Sequence, residues 1–169
     1  LPIWGTLVAL AIDGVPVVGA ISAPALGKRW FGATDLGSWG TQAGSREETP
    51  LQVSTVAKLS DATLSYNSIP QWVADGRQEA LLNLTSKAWR NRALGDFWPY
   101  MLVAEGSLDM AGEPDLQPYD MAAIQPIIEG AGGRFSSLDG ESSIWTGSAL
   151  ATNGVLHDEV LSIVRKDPA

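Results

Sequence analysis

The chain has 169 residues, 45% of them hydrophobic and 18% charged, which excludes a disordered polymer and supplies one domain-sized core. It contains no cysteine and a single histidine, His157, so disulfides, thiolate metal sites and zinc sites built on several histidines are excluded. A formal net charge of −8 argues against nucleic acid as a partner, although an acidic chain can still hold a phosphorylated molecule across a divalent cation. The lack of cysteine fits a reducing compartment, and a cytoplasmic location is expected. The apolar run Leu1 to Ile12 is too short to span a bilayer and has no basic flank ahead of it, so it reads as a buried strand and no membrane partner is expected.

Residues 1–55 read as strands and turns. Thr6 to Ile12 is closed by Asp13-Gly14, a hairpin signal. Val15 to Ser22 follows, Pro24 breaks it, and Arg29 to Ala33 is a short aromatic strand. Gly37 to Gly40 reads as a turn and Thr41 to Pro50 as a polar loop. Residues 56–169 change character. Ala62 to Tyr66 is a strand, and Gln71 to Ser86 has helical spacing with Trp72, Leu81 and Leu82 toward the core. Gly95-Asp96 opens a helix over Phe97 to Glu105, with Pro99 in its first turn. Leu108 to Glu113 is a strand, Asp120 opens a helix over Met121 to Gly130, and Gly132-Gly133 stops it. Arg134 to Ser137 and Ser148 to Thr152 are strands, and His157 to Arg165 is a terminal helix. Strands alternating with helices of this length predict an α/β fold. The seven tryptophans are expected in the core.

Two features carry candidate chemistry. Asp96 and Asp120 stand at predicted helix starts, and Glu113, Asp115 and Asp120 crowd a strand-to-helix connection. Such connections end at sheet edges, where α/β proteins bind ligands. Carboxylates there can hold Mg²⁺ beside a phosphate, but helix capping alone accounts for both aspartates. Arg90 and Arg92 suit either a phosphate or a structural ion pair. Glu105 and Glu129 are expected to be solvated, and His157 to lie on the surface. The glycines at 130–133 follow a helix, so they read as a helix stop and not as a phosphate loop.

The stretch from Glu113 through Tyr119-Asp120-Met-Ala-Ala123, with Glu129-Gly-Ala-Gly-Gly133 after it, resembles the C-terminal signature of the inositol monophosphatase family. Tyr119 stands where tryptophan is usual, and Gly130 intrudes before Ala131. Arg92-Ala-Leu-Gly95 resembles the family's Arg-x-x-Gly, and Gly37 to Ser54 resembles its glycine-aromatic to Val-Ser segment. Gly95-Asp96-Phe97, with Leu102 to Gly106 and Ser137 to Gly140, is most similar to the actinobacterial histidinol-phosphatase branch.

The resemblance implies a layered α/β/α/β/α sandwich. Residues 1–55 would belong to its N-terminal antiparallel sheet and 56–169 to its C-terminal α/β half. It implies Mg²⁺-dependent hydrolysis of a small phosphorylated substrate without a covalent enzyme intermediate. Asp120 would be catalytic and a metal ligand. Arg92, Gly95, Asp96, Phe97, Glu113 and Asp120 would contact the substrate, with Asp96 toward a cationic amine or imidazole. Inositol phosphate or another small sugar phosphate is the alternative substrate, and a non-catalytic module the alternative role. The family's Gly-Glu-Glu and Asp-Pro-Ile-Asp-Gly-Thr metal motifs do not occur in these residues. The resemblance therefore places them in a segment before Leu1, implies that the 169 residues alone are inactive, and implies a homodimer.

Overall fold

The computed structural model describes residues 1–42 and 44–166; Ala43, in the expected polar loop, and residues 167–169, at the end of the expected α/β half, lie outside the described residues. The first sheet is an antiparallel meander of β1 (Thr6–Ile12), β2 (Val15–Ala23), β3 (Lys28–Ala33), β4 (Gly37–Gln42) and β5 (Thr49–Pro50), in that order. Asp13 and Gly14 both take positive φ, 52° and 81°, as a two-residue hairpin turn demands. The expected turn at Gly37 to Gly40 is instead strand β4. The chain reverses earlier, at Asp35 with φ 66°, and Ser38 and Trp39 pair with Gly32 and Phe31.

The second sheet has the order β7-β6-β8-β10-β9, from β6 (Thr63–Ser65), β7 (Arg90–Arg92), β8 (Met110–Pro114), β9 (Arg134–Ser136) and β10 (Ser148–Thr152). Strand β6 runs parallel to β7 and β8, whereas β10 is antiparallel to β8 and β9. The expected long helix over Gln71 to Ser86 is two helices, α1 (Ile69–Ala74) and α2 (Gln78–Lys87). Gly76, at φ 75°, takes a left-handed turn that no helix can continue, and Arg77 beside it is buried against Asp75, Asp139 and the Val164 carbonyl. Leu82 is exposed; Trp72, Leu81 and Leu84 enter the core.

Helix α3 (Trp98–Ala104) carries Pro99 in its first turn, as expected. The expected helix over Met121 to Gly130 is divided into α4 (Pro118–Met121) and α5 (Ile124–Gly130). Pro126 explains the break, because it has no N–H for the Ala122 carbonyl and its ring crowds that oxygen. Helix α6 (His157–Val164) closes the described chain.

Helices α3 and α5 lie between the sheets and α1, α2 and α6 cover the far face of the second, so the described residues form four layers, β/α/β/α. Helix α5 sits very close to the first sheet. A Cβ on Gly130 would lie 2.4 Å from the Ser38 Oγ and 2.7 Å from the Gly37 carbonyl oxygen. The opposite face of that sheet is apolar and bare among the described residues: Val8, Leu10, Ile12, Val15 and Val18 are 42–61% exposed.

Several expectations about single residues change. His157 is fully buried, between the Ser136 and Thr152 hydroxyls at 3.0 Å each. Burial and nearby Arg134 hold its pKa down at about 4. Glu105 is tied to Lys28 at 2.8 Å and to the Trp30 indole at 2.7 Å, and Glu129 accepts from Thr34 and Gln125. Of the tryptophans only Trp30 and Trp72 are fully buried, while Trp4, Trp89 and Trp145 are largely exposed. No helix of the described residues is long and apolar enough to cross a membrane.

Candidate functional site

A cleft of about 540 Å³ opens where β6 and β8 end. Both strands run the same way, and the carboxyl ends of such strands are where open α/β sheets leave room for a ligand. One wall is the segment leading into β1, with Leu1, Ile3 and Trp4, together with Leu7 of that strand; the other holds the polar side chains.

Glu113 is placed by β8. The pleat sends Glu113 and Ala111 to the same side, toward α3, and burial leaves the glutamate only 3% exposed. Its two oxygens are both engaged. Asn67, just past β6, donates through Nδ2 to Oε2, and Tyr100 of α3 donates its hydroxyl to Oε1 at 3.0 Å. Burial raises the Glu113 pKa from 4.5 to about 7, the two hydrogen bonds oppose that rise, and the charges of Asp96 and Asp120 add to it. Burial, and then Glu113 itself, pushes the Tyr100 hydroxyl well above its ordinary value.

Asp120 lies in the short first turn of α4, where its Oδ2 accepts the Gln117 backbone N–H at 2.9 Å. Capping is therefore part of what Asp120 does. Asp96 is different. The residue that opens α3 is Phe97, and no side-chain cap bond is made there. Asp96 instead holds a left-handed backbone, φ 56°, and lines the cleft. Asn67 in the cleft and Asp115 just outside it share that backbone region, at φ 55° and 64°, which asparagine and aspartate tolerate.

Of the residues expected to form the site, Asp96, Phe97, Glu113 and Asp120 line one cleft. Arg92 does not: it is exposed at the sheet edge, with its guanidinium on the Asn91 carbonyl at 2.7 Å. Arg90 lies over the Trp89 ring at 4.2 Å, and Asp115 is exposed outside the cleft. Gly95 is not a lining residue; a Cβ there would stand 2.7 Å from the Asn67 Oδ1. Sequence reasoning passed over Asn67, Gln71, Tyr100 and Trp4. For Asn67 a signal existed, since asparagine after a strand and just ahead of a helix-opening proline tolerates the left-handed turn needed there. Tyr100 sits in an apolar helix and gave none.

Three carboxylates and no basic side chain line the cleft. No salt bridge among the described residues engages Asp96, Glu113 or Asp120. Nor do three or more acidic or histidine side chains among them converge closely enough to hold a metal by themselves. Mg²⁺ is commonly held by one or two carboxylates together with waters and phosphate oxygens. Asp120 fits one such position, and the described residues do not complete the set.

Fold and cleft together define a layered two-sheet α/β protein with an acidic cleft at its strand ends. The chain belongs to the inositol monophosphatase family, which it matches over residues 1–169. It is 48% identical over 162 residues to the histidinol-phosphatase of Mycobacterium tuberculosis, covering 96% of this chain and 62% of that protein. It is also 48% identical over 170 residues to the histidinol-phosphatase of Streptomyces coelicolor, covering 98% and 64%. Among solved structures, an inositol monophosphatase from Anabaena superposes with a TM-score of 0.83 at 29% identity, covering 96% of this chain and 64% of that one. The chain thus spans less than two thirds of the length of these relatives.

Proposed function

We propose that the chain is the cleft-bearing part of a Mg²⁺-dependent phosphomonoesterase that hydrolyses L-histidinol phosphate to L-histidinol and phosphate, a step of histidine biosynthesis. The observation that carries the reading is the charge of the cleft, with three carboxylates and no basic side chain in its lining. The 48% identity to two histidinol-phosphatases supports the same substrate.

The substrate's two ends make opposite demands. Its phosphate is repelled by this wall unless a divalent cation intervenes. Its amine is cationic and its imidazole carries an N–H donor, and both suit carboxylates, whereas inositol offers hydroxyls only. Asp120 would hold the cation, and the Gln117 N–H keeps its carboxylate in place. When bound, Mg²⁺ supplies positive charge at the phosphorus and at the leaving oxygen. Asp96 and Glu113 would accept N–H bonds from the organic end. A cation beside Glu113 favours its ionised form, offsetting the burial that holds it near neutrality. Phe97, Leu116 and Ile124 supply apolar surface beside these contacts.

The test is phosphate release from L-histidinol phosphate and from inositol phosphate, with and without Mg²⁺, by a chain carrying the further metal ligands and by these 169 residues alone. The reading predicts Mg²⁺-dependent release from the longer chain, favouring histidinol phosphate. It also predicts loss of that release in Asp120→Asn and loss of the preference in Asp96→Ser. Equal turnover of both esters, or a preference unchanged in Asp96→Ser, would sink it.

A further inference from the structure

We propose that Asn67 and Tyr100 are positioning residues that clamp the two oxygens of the Glu113 carboxylate and aim it at a ligand in the cleft, and that Gly95 is a glycine to leave room for that clamp. The ligand's identity rests on the function proposed above; the clamp does not. Glu113 is almost fully buried at the end of β8, and it receives one donor from each side, Asn67 Nδ2 on Oε2 and Tyr100 Oη on Oε1. A carboxylate so gripped loses its rotational freedom but keeps lone pairs for a further donor.

The clamp is itself held. The Asn67 amide also reaches the Gln71 Oε1 at 3.2 Å, and its backbone sits at φ 55°, a conformation that most side chains avoid. The loop beside it is pinned by the Ser65 hydroxyl, which donates to the Leu94 carbonyl at 3.0 Å and accepts the Leu94 N–H at 3.1 Å. That pinning brings Gly95 so near that any Cβ would press on the Asn67 Oδ1, 2.7 Å away. Tyr100 comes from a separate element, fully buried in α3. Two unconnected elements thus converge on one carboxylate.

Three variants test the clamp: Asn67→Ala, Tyr100→Phe and Gly95→Ala. The substrate-free readout is the Glu113 carboxyl carbon resonance in ¹³C-labelled protein, followed against pH. Both donors favour the ionised form, so losing either should raise the midpoint above that of the parent. Gly95→Ala should shift it the same way by displacing the amide. In the longer chain that carries the further metal ligands, with L-histidinol phosphate as substrate, KM should rise about tenfold and kcat change little, as for a lost hydrogen bond to a charged group. Placed on a Glu113→Ala background, the same three changes should no longer move KM. An unmoved Glu113 midpoint in folded Asn67→Ala and Tyr100→Phe, or KM effects that persist in full without Glu113, would overturn the clamp. If the parent fails to hydrolyse histidinol phosphate, the functional reading falls alone, because the resonance still decides the clamp.

Discussion

Replacing Glu113 by glutamine should favour the variant over its parent increasingly as the pH rises in the metal-free protein. The carboxyl has an ordinary pKa of 4.5, and burial in the cleft wall raises it to about 7. A raised pKa means the folded state holds the proton more tightly than the unfolded one. Folding is therefore unpenalised below pH 4.5, where both states are protonated. The penalty grows as pH rises between 4.5 and 7 and is complete above 7. The gap is worth about 3 kcal/mol. Glutamine keeps the shape and one of the two acceptor oxygens, a loss that is the same at every pH, and it carries no titrating proton. The difference in unfolding free energy between variant and parent should thus rise by about 3 kcal/mol from pH 4.5 to pH 8. Groups that do not interact with Glu113 cancel in that difference. Urea unfolding in EDTA at five or six pH values measures it, with the slope m checked for constancy. A difference that stays flat across this window would show that Glu113 is ionised at its ordinary pKa, and the electrostatic account of the cleft would fail with it.

His157 should give a pH dependence of the opposite sign. Its pKa falls from 6.5 to about 4, so its contribution is present above 6.5 and is lost as pH drops to 4, and the parent's advantage over His157→Gln should shrink by about 3 kcal/mol across that range in the same urea assay. Gly130→Ala should lower stability by about 1–3 kcal/mol, because its Cβ lands on the Ser38 hydroxyl and the Gly37 carbonyl; a fall in Tm of several degrees would show it, and an unchanged Tm would contradict the close approach of α5. Leu10→Lys, on the bare face of the first sheet, should reduce self-association of the 169-residue chain in light scattering while leaving its urea midpoint nearly unchanged.

The elements most legible in the sequence were those whose cause is local. Asp13-Gly14 dictates its own hairpin, and Pro99 marks a helix start wherever the rest of the chain lies. Errors arose where distant partners decide. Gly37 to Gly40 carries glycines and reads as a turn, yet Phe31 stacks on Trp39 and Ser38 reaches the Ile127 carbonyl 89 residues away, and these contacts hold it as a strand. His157 beside Asp158 looked like a surface helix start, and two hydroxyls from the second sheet take it inside.

The cleft divides along the same line. Asp96, Glu113 and Asp120 stood out because charge at a strand-to-helix connection is visible in one dimension. What governs Glu113 is not: burial raises its pKa, and the two donors that oppose the rise are an amide 46 residues before it and a phenol 13 residues before it, from elements with no shared local pattern. Gly95 joins the two levels. In sequence it looked like a substrate contact, and in space its missing side chain is what lets Asn67 reach the glutamate. A family pattern marks such a position without giving its reason. The reason is steric, and it predicts that alanine at 95 acts on Glu113 through Asn67 and not on the ligand directly.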